Sequence, residues 1–294
     1  GEVDVDVPAV RRQMLELADA GLASRDEYAT CVLYLRQENY LLCYESVNSV
    51  DAIQSYVLED YMGYLDDGEG SNHNRDKVDI GIGRLPVQSV GEADGVVAKI
   101  LAYMDNKSAG AWQNVVSLLA DDGDDKTPNQ HMKDADSIAA VMERNYPLYS
   151  IDRIFWDDFP YEPSASGIRY PVVTQAIYDR LEKGALVVNY SGHGGPNLMS
   201  HEMVWKASDM AAVNSPRVPF WVTASCDIGP FDLGDNSVAE NAILNPNGAA
   251  IGLFTTTRTV LQSYNSVINK AFMKELLASS VNGKRVAVGD AVRR

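Results

Sequence analysis

Apolar runs and segments with helical periodicity alternate along the chain from residue 114 onward. The apolar runs are short and nearly continuous, which is typical of strands that are buried on both faces. They predict strands at 114–119, 151–156, 185–190, 218–224 and 249–254, and the segments between them predict helices at 135–144, 172–181, 207–213 and from Ser237 onward. Strands that alternate with helices in this way predict a mainly parallel sheet covered on both faces, an α/β/α architecture.

The alternation is weaker before residue 108. Residues 9–20 carry apolar positions at roughly helical spacing, 30–35 are typical of a buried strand, and 91–104 predict a helix. Residues 77–85 lead into DIGIGRLP, a β-like run that ends at a proline. We therefore predict a division near residue 108, between a partial N-terminal α/β subdomain (1–107) and a main subdomain (108–294).

Charge and composition narrow the classes of function. The chain has 294 residues, of which 46% are hydrophobic and 22% charged, as in a globular protein. A formal net charge of -16 disfavours nucleic acid as a partner, because phosphate binding needs clustered lysine and arginine. The acidity is compatible with a cell-surface or secreted protein and with bound Ca²⁺. The start at GEVDVDV, without an initiator methionine, suggests a fragment of a longer precursor.

Three cysteines are present, so at least one is unpaired. Cys31 and Cys43 have apolar neighbours and are predicted to be small buried hydrophobic residues. Cys226 differs, because it follows an apolar strand and precedes a loop rich in glycine, proline and aspartate.

His193 and Cys226 follow two consecutive predicted strands, and a short helix separates them. Sites in parallel α/β sheets form at the carboxyl ends of strands, so these side chains are expected to be neighbours. A thiol with a pKa of about 8.5 needs a base to become a nucleophile, and a histidine can take the proton and return it to a leaving amine. The backbone N–H groups of Gly194 and Cys226 are the expected oxyanion donors. A turn, a single metal ligand and a phosphate-binding loop are alternatives for the Gly-His-Gly segment.

The segments NYSGHGG and TASCDIGPFD resemble the histidine and cysteine blocks of the gingipain-like cysteine peptidases of clan CD, family C25. This resemblance implies a caspase-like three-layer α/β/α fold. Further segments, among them CYESVNSVDAIQSY, VDIGIGRLPV and AAIGLFTTTRTV, are similar to the PorU-type sortases of the type IX secretion system of Bacteroidetes. Such enzymes are implied to remove the C-terminal signal domain of secreted cargo at the outer membrane surface. They are also implied to transfer the cargo to an anionic lipopolysaccharide.

The resemblance also implies roles for further residues. Asp122, with Asp121 as the alternative, is nearest the acid that orients the histidine in gingipains, although this acidic segment also fits a solvated turn or a Ca²⁺ cluster. Glu202 matches an acid near the substrate pocket. Thr255, Thr256 and Thr257 follow the strand end that lines the S1 pocket in the family, and they suggest a small or neutral subsite. His131 and His201 receive no role and are expected at the surface.

One departure from the family pattern lies near the N-terminus. The family has a Gly-Asp-Gly type loop after the strand that matches 30–35, whereas Arg36 follows Leu35 directly here. The upstream half of a gingipain-like catalytic region is also lacking, so residues 1–107 are expected to be the remnant of a preceding subdomain.

The expected partners follow from the same resemblance. They are a protein substrate, an anionic lipopolysaccharide acceptor and proteins of an outer-membrane secretion complex, with no cofactor required and Ca²⁺ as an option. The rival functions are a secreted gingipain-like protease and a catalytically silent structural or docking module. A metal enzyme is a third option, weakened because no second histidine or cysteine lies near His193 at ligand spacing.

Overall fold

The computed structural model describes residues 43–46, 57–70, 75–123, 129–165, 167–232, 236–278 and 286–293. The helices are α1 (Val90–Met104), α2 (Gln130–Asn145), α3 (Pro171–Lys183), α4 (Ala207–Ala212), α5 (Val238–Leu244), α6 (Gln262–Leu276) and α7 (Val288–Arg293). The strands of the central sheet are β3 (Val115–Ala120), β4 (Ser150–Phe155), β7 (Val187–Ser191), β11 (Phe220–Ala224) and β12 (Gly252–Phe254). Short pairs and a small sheet are formed by β1 (Tyr44–Glu45), β2 (Val57–Leu58), β5 (Glu162–Ser164), β6 (Gly167–Arg169), β8 (Gly194–Gly195), β9 (Leu198–Met199) and β10 (Trp205–Lys206).

The central sheet is parallel throughout its described strands, in the order β12-β11-β7-β3-β4. All five strands were predicted from their apolar runs, and each observed boundary lies within a few residues of the predicted one, because a run buried on both faces leaves a continuous apolar signal. The helix predicted from Ser237 is also confirmed. The hydroxyl of Ser237 accepts the N–H of Glu240, and the Glu240 carboxylate accepts the N–H of Ser237.

Helices cover both faces of this sheet. On one face, Val173 and Ile177 of α3, Met210 of α4 and Ala242 of α5 pack in a core that includes Trp221 of β11. The opposite face is covered by α2, α6 and α7, through buried residues that include Ile138, Met142, Phe272 and Ala291. The predicted three-layer α/β/α fold is therefore confirmed.

The register of the sheet places three strand ends at one level. Ala120 of β3 pairs with Ser191 of β7, and Ser191 pairs with Ala224 of β11. Backbone hydrogen bonds continue past this row: the N–H of Asp121 donates to Ser191 at 3.0 Å, and the N–H of Gly192 donates to Ala224 at 3.3 Å. The residues that follow these strands therefore emerge side by side.

A buried lysine joins α1 to the main body. Lys99 is 5% exposed, and its Nζ donates to the carbonyl oxygens of Ile243 and Asn245, each at 2.7 Å, at the end of α5. Burial lowers the pKa of Lys99 to about 8. The cation thus satisfies carbonyl groups that a helix end leaves without a partner.

The β-like run at 77–85 forms no strand in the structure. Its glycines explain the difference, because a Cβ on Gly81 would lie 2.6 Å from Gly289 Cα, so this segment passes against the backbone of α7 instead of joining a ladder. Helix α6 was not predicted. The elements predicted at 9–20 and 30–35, Cys31 and the segment after Leu35 lie outside the described residues, and the division near residue 108 stays a prediction. Within the described ranges, no helix combines the length and apolar character needed to cross a membrane.

Candidate active site

Asp122, His193 and Cys226 occupy equivalent places on three adjacent strands. Each is the second residue after the paired row of Ala120, Ser191 and Ala224. The sheet order and register therefore bring three residues that lie far apart in sequence to neighbouring strand ends.

Gly194 fits tightly beneath the cysteine loop. A Cβ built on Gly194 would lie 2.4 Å from Ser225 Oγ, 2.5 Å from Ile228 Cδ1 and 3.2 Å from the carbonyl oxygen of Cys226, whereas a Cβ on Gly195 would meet no described atom within 4 Å. Real Cβ atoms do not approach other atoms this closely, so the contact between the two loops requires glycine at 194. Besides the expected oxyanion role of its N–H group, position 194 therefore has a packing reason to be glycine.

His193 and Cys226 line the same cavity, which has a volume of about 130 Å³. Its lining residues are His131, Asp134, Ser191, Gly192, His193, Ala224, Ser225, Cys226, Val260, Gln262, Asn265 and Ser266. Cys226 is half-buried, and its thiol donates to the carbonyl oxygen of Val260 at 3.5 Å. The thiol and the imidazole thus face a common space at the carboxyl edge of the sheet. Cys43, by contrast, is 4% exposed, as predicted.

Two further imidazoles contact the ring of His193. His201 stacks on it, with ring centroids 4.4 Å apart and planes at 17°, and His131 meets it edge-on at 5.0 Å. The surface position expected for His201 is confirmed, but the one expected for His131 is wrong, since His131 is 9% exposed. His131 lies in the first turn of α2, which begins earlier than its apolar pattern predicts.

Asp121 contacts the backbone of the histidine loop. Its buried carboxylate accepts the N–H of His193 at 2.9 Å, and Tyr190 donates its hydroxyl to the carbonyl oxygen of His193 at 2.6 Å. Burial, together with the nearby carboxylates of Asp122 and Glu202, raises the pKa of Asp121 well above its usual value. These two contacts fix the peptide groups on both sides of the His193 side chain.

Asp121, Asp122 and Glu202 form a cluster of three carboxylates. One oxygen from each of the three lies within 4.8 Å of the others, and Asp122 accepts the hydroxyl of Tyr170 at 3.2 Å. Burial and then the charge of Asp122 raise the pKa of Glu202. Oxygen donors of this kind suit Ca²⁺, as does a second group formed by Asp66, Glu69 and Asp79.

The three threonines make hydrogen bonds within the protein. Thr255 Oγ1 lies 2.5 Å from Thr223 Oγ1, Thr256 donates to the carbonyl oxygen of Ser225 at 2.7 Å, and Thr257 donates to Val57 at 3.1 Å. Thr255 and Thr257 line a different cavity of about 630 Å³ beside β12. The bond from Thr256 ties the β12 end to the residue before Cys226, and a substrate contact by these threonines stays a prediction.

Several cavity residues had no signal in the sequence. Asp134 lies on α2, while Gln262, Asn265 and Ser266 lie on the first turns of α6. Asp134 is 7% exposed, and its carboxylate accepts a hydrogen bond from Gln262 Nε2 at 2.5 Å. A contact between segments so distant in the chain follows no local periodicity.

Comparisons with known proteins agree with this architecture. The crystal structure of the Arg-specific cysteine proteinase gingipain R (RgpB) aligns with a TM-score of 0.61 and 16% identity, over 80% of this chain and 52% of the gingipain. The complex of Porphyromonas gingivalis RgpB pro- and mature domains gives the same TM-score and identity, over 80% of this chain and 53% of the matched one. This chain therefore spans about half the length of those gingipain chains, and the likeness concerns the fold. No curated protein matches it.

The family is shown by the sequence itself. A model of peptidase family C25 matches residues 13–294, which is nearly the entire chain. On that match, this chain belongs to the gingipain-like C25 family of cysteine peptidases.

Proposed function

We propose that the chain is a cysteine endopeptidase in which Cys226 is the nucleophile and His193 the general base. The observation that carries this proposal is the equivalent placement of the two residues after paired strands, with both lining one cavity. The close packing of Gly194 against Ser225 and Ile228 supports it, because this contact fixes the loop that carries His193 relative to the loop that carries Cys226.

In the proposed acylation step, His193 takes the thiol proton of Cys226 and the thiolate attacks the scissile carbonyl carbon. The C–S bond forms as the carbonyl oxygen takes up negative charge, which the N–H groups of Gly194 and Cys226 stabilise. The scissile C–N bond then breaks, the imidazolium of His193 protonates the leaving amine, and a thioester remains on Cys226.

The acidic residues have separate proposed roles. Asp122 follows its strand by the same number of residues as His193 and Cys226 follow theirs. We propose that it supplies negative charge near the imidazolium that forms during acylation. Asp121 positions the backbone of His193. Ca²⁺ is proposed only as a structural ion bound by the cluster of Asp121, Asp122 and Glu202, and no chemical step passes through it.

We further propose that the substrate is a type IX secretion cargo with a C-terminal signal domain, which leaves in the acylation step. An amine of an anionic lipopolysaccharide, deprotonated by His193, then attacks the thioester, and the C–S bond breaks to regenerate Cys226. The support is the similarity of several segments to PorU-type sortases. The proposed location is the cell surface, at the outer membrane and in contact with the secretion complex.

Incubation of the protein with purified cargo that bears its signal domain tests this proposal. The wild type is expected to release the domain and Cys226→Ala is expected to release none, with both products identified by mass. Cys43→Ala is the matched control, because it removes a buried thiol outside the cavity and is expected to retain release. Adding an amine acceptor distinguishes transfer from hydrolysis through the mass of the new carboxyl end.

The second candidate is a general gingipain-like protease, favoured by the structural likeness to an Arg-specific proteinase. Cleavage confined to arginine or lysine peptides, with intact cargo left uncut, would support it against the sortase. The silent-module alternative predicts that iodoacetamide alkylates Cys226 no faster than an ordinary thiol and without titration by a neighbouring base.

A further inference from the structure

The imidazole of His193 contacts two other imidazoles that have no role in the acylation step. His201 stacks on it with ring centroids 4.4 Å apart and planes at 17°, and His131 meets it edge-on at 5.0 Å and 82°. Stacked and edge-to-face contacts are the two arrangements that aromatic pairs favour. We propose that His201 and His131 are positioning residues, which hold the His193 ring in the orientation in which it takes the thiol proton of Cys226. This proposal rests on the proposed peptidase function.

The ring of a histidine needs such contacts because its own side chain does not fix it. The torsion about the Cβ–Cγ bond joins an sp³ to an sp² atom, so its preferences are broad. A general base, however, has to present one ring nitrogen to the proton that it takes. A parallel ring on its face sets the plane of the His193 imidazole, and a perpendicular ring restricts rotation out of that plane.

His201 is held over His193 by a tight turn between β9 and β10, which pair at its base. The preceding residue, Ser200, is fully buried and donates its N–H to the carbonyl oxygen of His193 at 2.9 Å. Ser200 and Met203 have φ angles of 65° and 55°, a left-handed conformation that residues other than glycine seldom adopt. The turn is therefore constrained, and it is attached to the backbone of the same histidine on whose ring His201 stacks.

His131 approaches the ring from a different element. It lies in the first turn of α2, is 9% exposed and lines the cavity that His193 and Cys226 share. His201, by contrast, is exposed. Because exposed side chains usually contribute little to stability, substitution of His201 is the more direct test of the orientation of the His193 ring.

NMR of the imidazole rings tests the stack in the free protein. The chain has four histidines, so ¹³C-labelled histidine gives a simple spectrum. A stacked ring shields the nuclei that lie over its face. His201→Ala is therefore expected to move the His193 ring resonances downfield, whereas His201→Phe keeps an aromatic ring and is expected to keep them shielded. Unchanged His193 resonances in His201→Ala would overturn the stack.

Alkylation of Cys226 by iodoacetamide tests the effect on the dyad, because the thiolate is the reactive form. The rate is followed through the mass of the peptide that carries Cys226. His201→Ala is expected to lower it about tenfold and His201→Phe to stay within about threefold of wild type, since one aromatic contact is lost or kept. Met203→Ala is the matched control from the same turn; its side chain contacts Arg169, and the rate is expected to stay within about twofold.

Cleavage of purified cargo separates positioning from substrate binding. In His201→Ala the loss is expected in kcat with KM unchanged, because a misplaced base weakens the transition state and leaves the bound substrate as it was. A rise in KM at constant kcat would overturn the positioning role and assign His201 to substrate binding.

A double variant tests whether both rings act on the same imidazole. Once His201→Ala or His131→Ala has freed the His193 ring, the second substitution has less to remove. The double variant is therefore expected to lose less alkylation rate than the product of the two single losses. Losses that multiply would overturn joint positioning.

The outcomes distinguish this role from the peptidase function. If iodoacetamide alkylates Cys226 of the wild type no faster than an ordinary thiol, the peptidase function fails, and the positioning of a base fails with it. If the wild type reacts fast and His201→Ala reacts equally fast, the dyad stands and the positioning role is overturned. Equal losses in His201→Ala and His201→Phe also overturn it, because a stacked ring would then not be what matters.

Discussion

The buried carboxylate of Asp121 accepts a hydrogen bond from the backbone N–H of His193 at 2.9 Å. Asp121 follows β3 directly and His193 follows β7 by two residues, so the contact spans adjacent strand ends. Asp121 accepts the peptide N–H of His193, and its carboxyl can supply this acceptor oxygen whether it is ionised or protonated. This geometry predicts that Asp121 positions the backbone of His193 through a hydrogen bond and that its negative charge is not required.

Replacing Asp121 by asparagine or by alanine tests this role. Asp121→Asn keeps an acceptor oxygen and is expected to retain activity within about threefold, whereas Asp121→Ala leaves the half-buried N–H of His193 without this acceptor and is expected to lose about tenfold or more. The measurement is kcat/KM for cargo cleavage together with the alkylation rate of Cys226. Equal losses in the two variants would show that the negative charge matters instead.

The raised pKa of Asp121 also predicts a pH dependence of stability. Burial is its main cause, so the folded state holds the proton more tightly than the unfolded state. Its contribution to stability is complete below the unfolded pKa, about 3.9, and is lost as pH rises through the higher folded pKa. Asp121→Asn cannot titrate, so its free energy of unfolding relative to wild type is expected to increase from pH 4 to pH 8.

Urea unfolding at pH 4, 6 and 8 measures that difference. Asp94→Asn, which changes an exposed carboxylate on α1, is the control for the loss of one negative charge. If Asp121→Asn and Asp94→Asn follow the same pH curve, burial of Asp121 does not govern this part of the stability.

Gly194 and Gly195 are neighbours with opposite expected tolerance to a methyl group. At Gly194 the added Cβ would meet Ser225 Oγ at 2.4 Å and the side chain of Ile228 at 2.5 Å, and Ile228 is fully buried and cannot move aside. Gly194→Ala is therefore expected to lower kcat/KM at least about a hundredfold and to cost roughly 1 to 3 kcal/mol of stability. Gly195→Ala, with open space around its Cβ, is expected to stay within about threefold. Similar losses in both variants would refute the tight fit between the histidine and cysteine loops.

The strand ends could be predicted from the sequence because the central strands are apolar on both faces. The paired strands that precede His193 and Cys226 have this signal, and parallel topology then requires their carboxyl ends to meet at one edge. The register of the sheet could not be predicted from the apolar pattern. It shows that Asp122 follows its strand at the same level as His193 and Cys226 follow theirs.

The cavity could not be predicted in the same way. Asp134, Gln262 and Lys270 come together from α2 and α6, and their contacts depend on how two helices pack on one face of the sheet. Polar positions on a helix look alike in sequence whether they face solvent or a site. His131 was assigned to the surface for this reason.

Lys99 provides a test of how the segment before residue 108 is attached. Its Nζ donates to the carbonyl oxygens of Ile243 and Asn245 at 2.7 Å, and Lys99 is only 5% exposed. Lys99→Met keeps most of the side-chain volume but leaves these carbonyls unsatisfied, and it is expected to cost about 2 to 4 kcal/mol in the free energy of unfolding. Lys107→Met is the matched control, because the side chain of Lys107 is 85% exposed and its pairing with Asp105 is worth little. Chemical denaturation of both variants measures the difference, and equal stabilities would show that the buried cation does not hold α1 against α5.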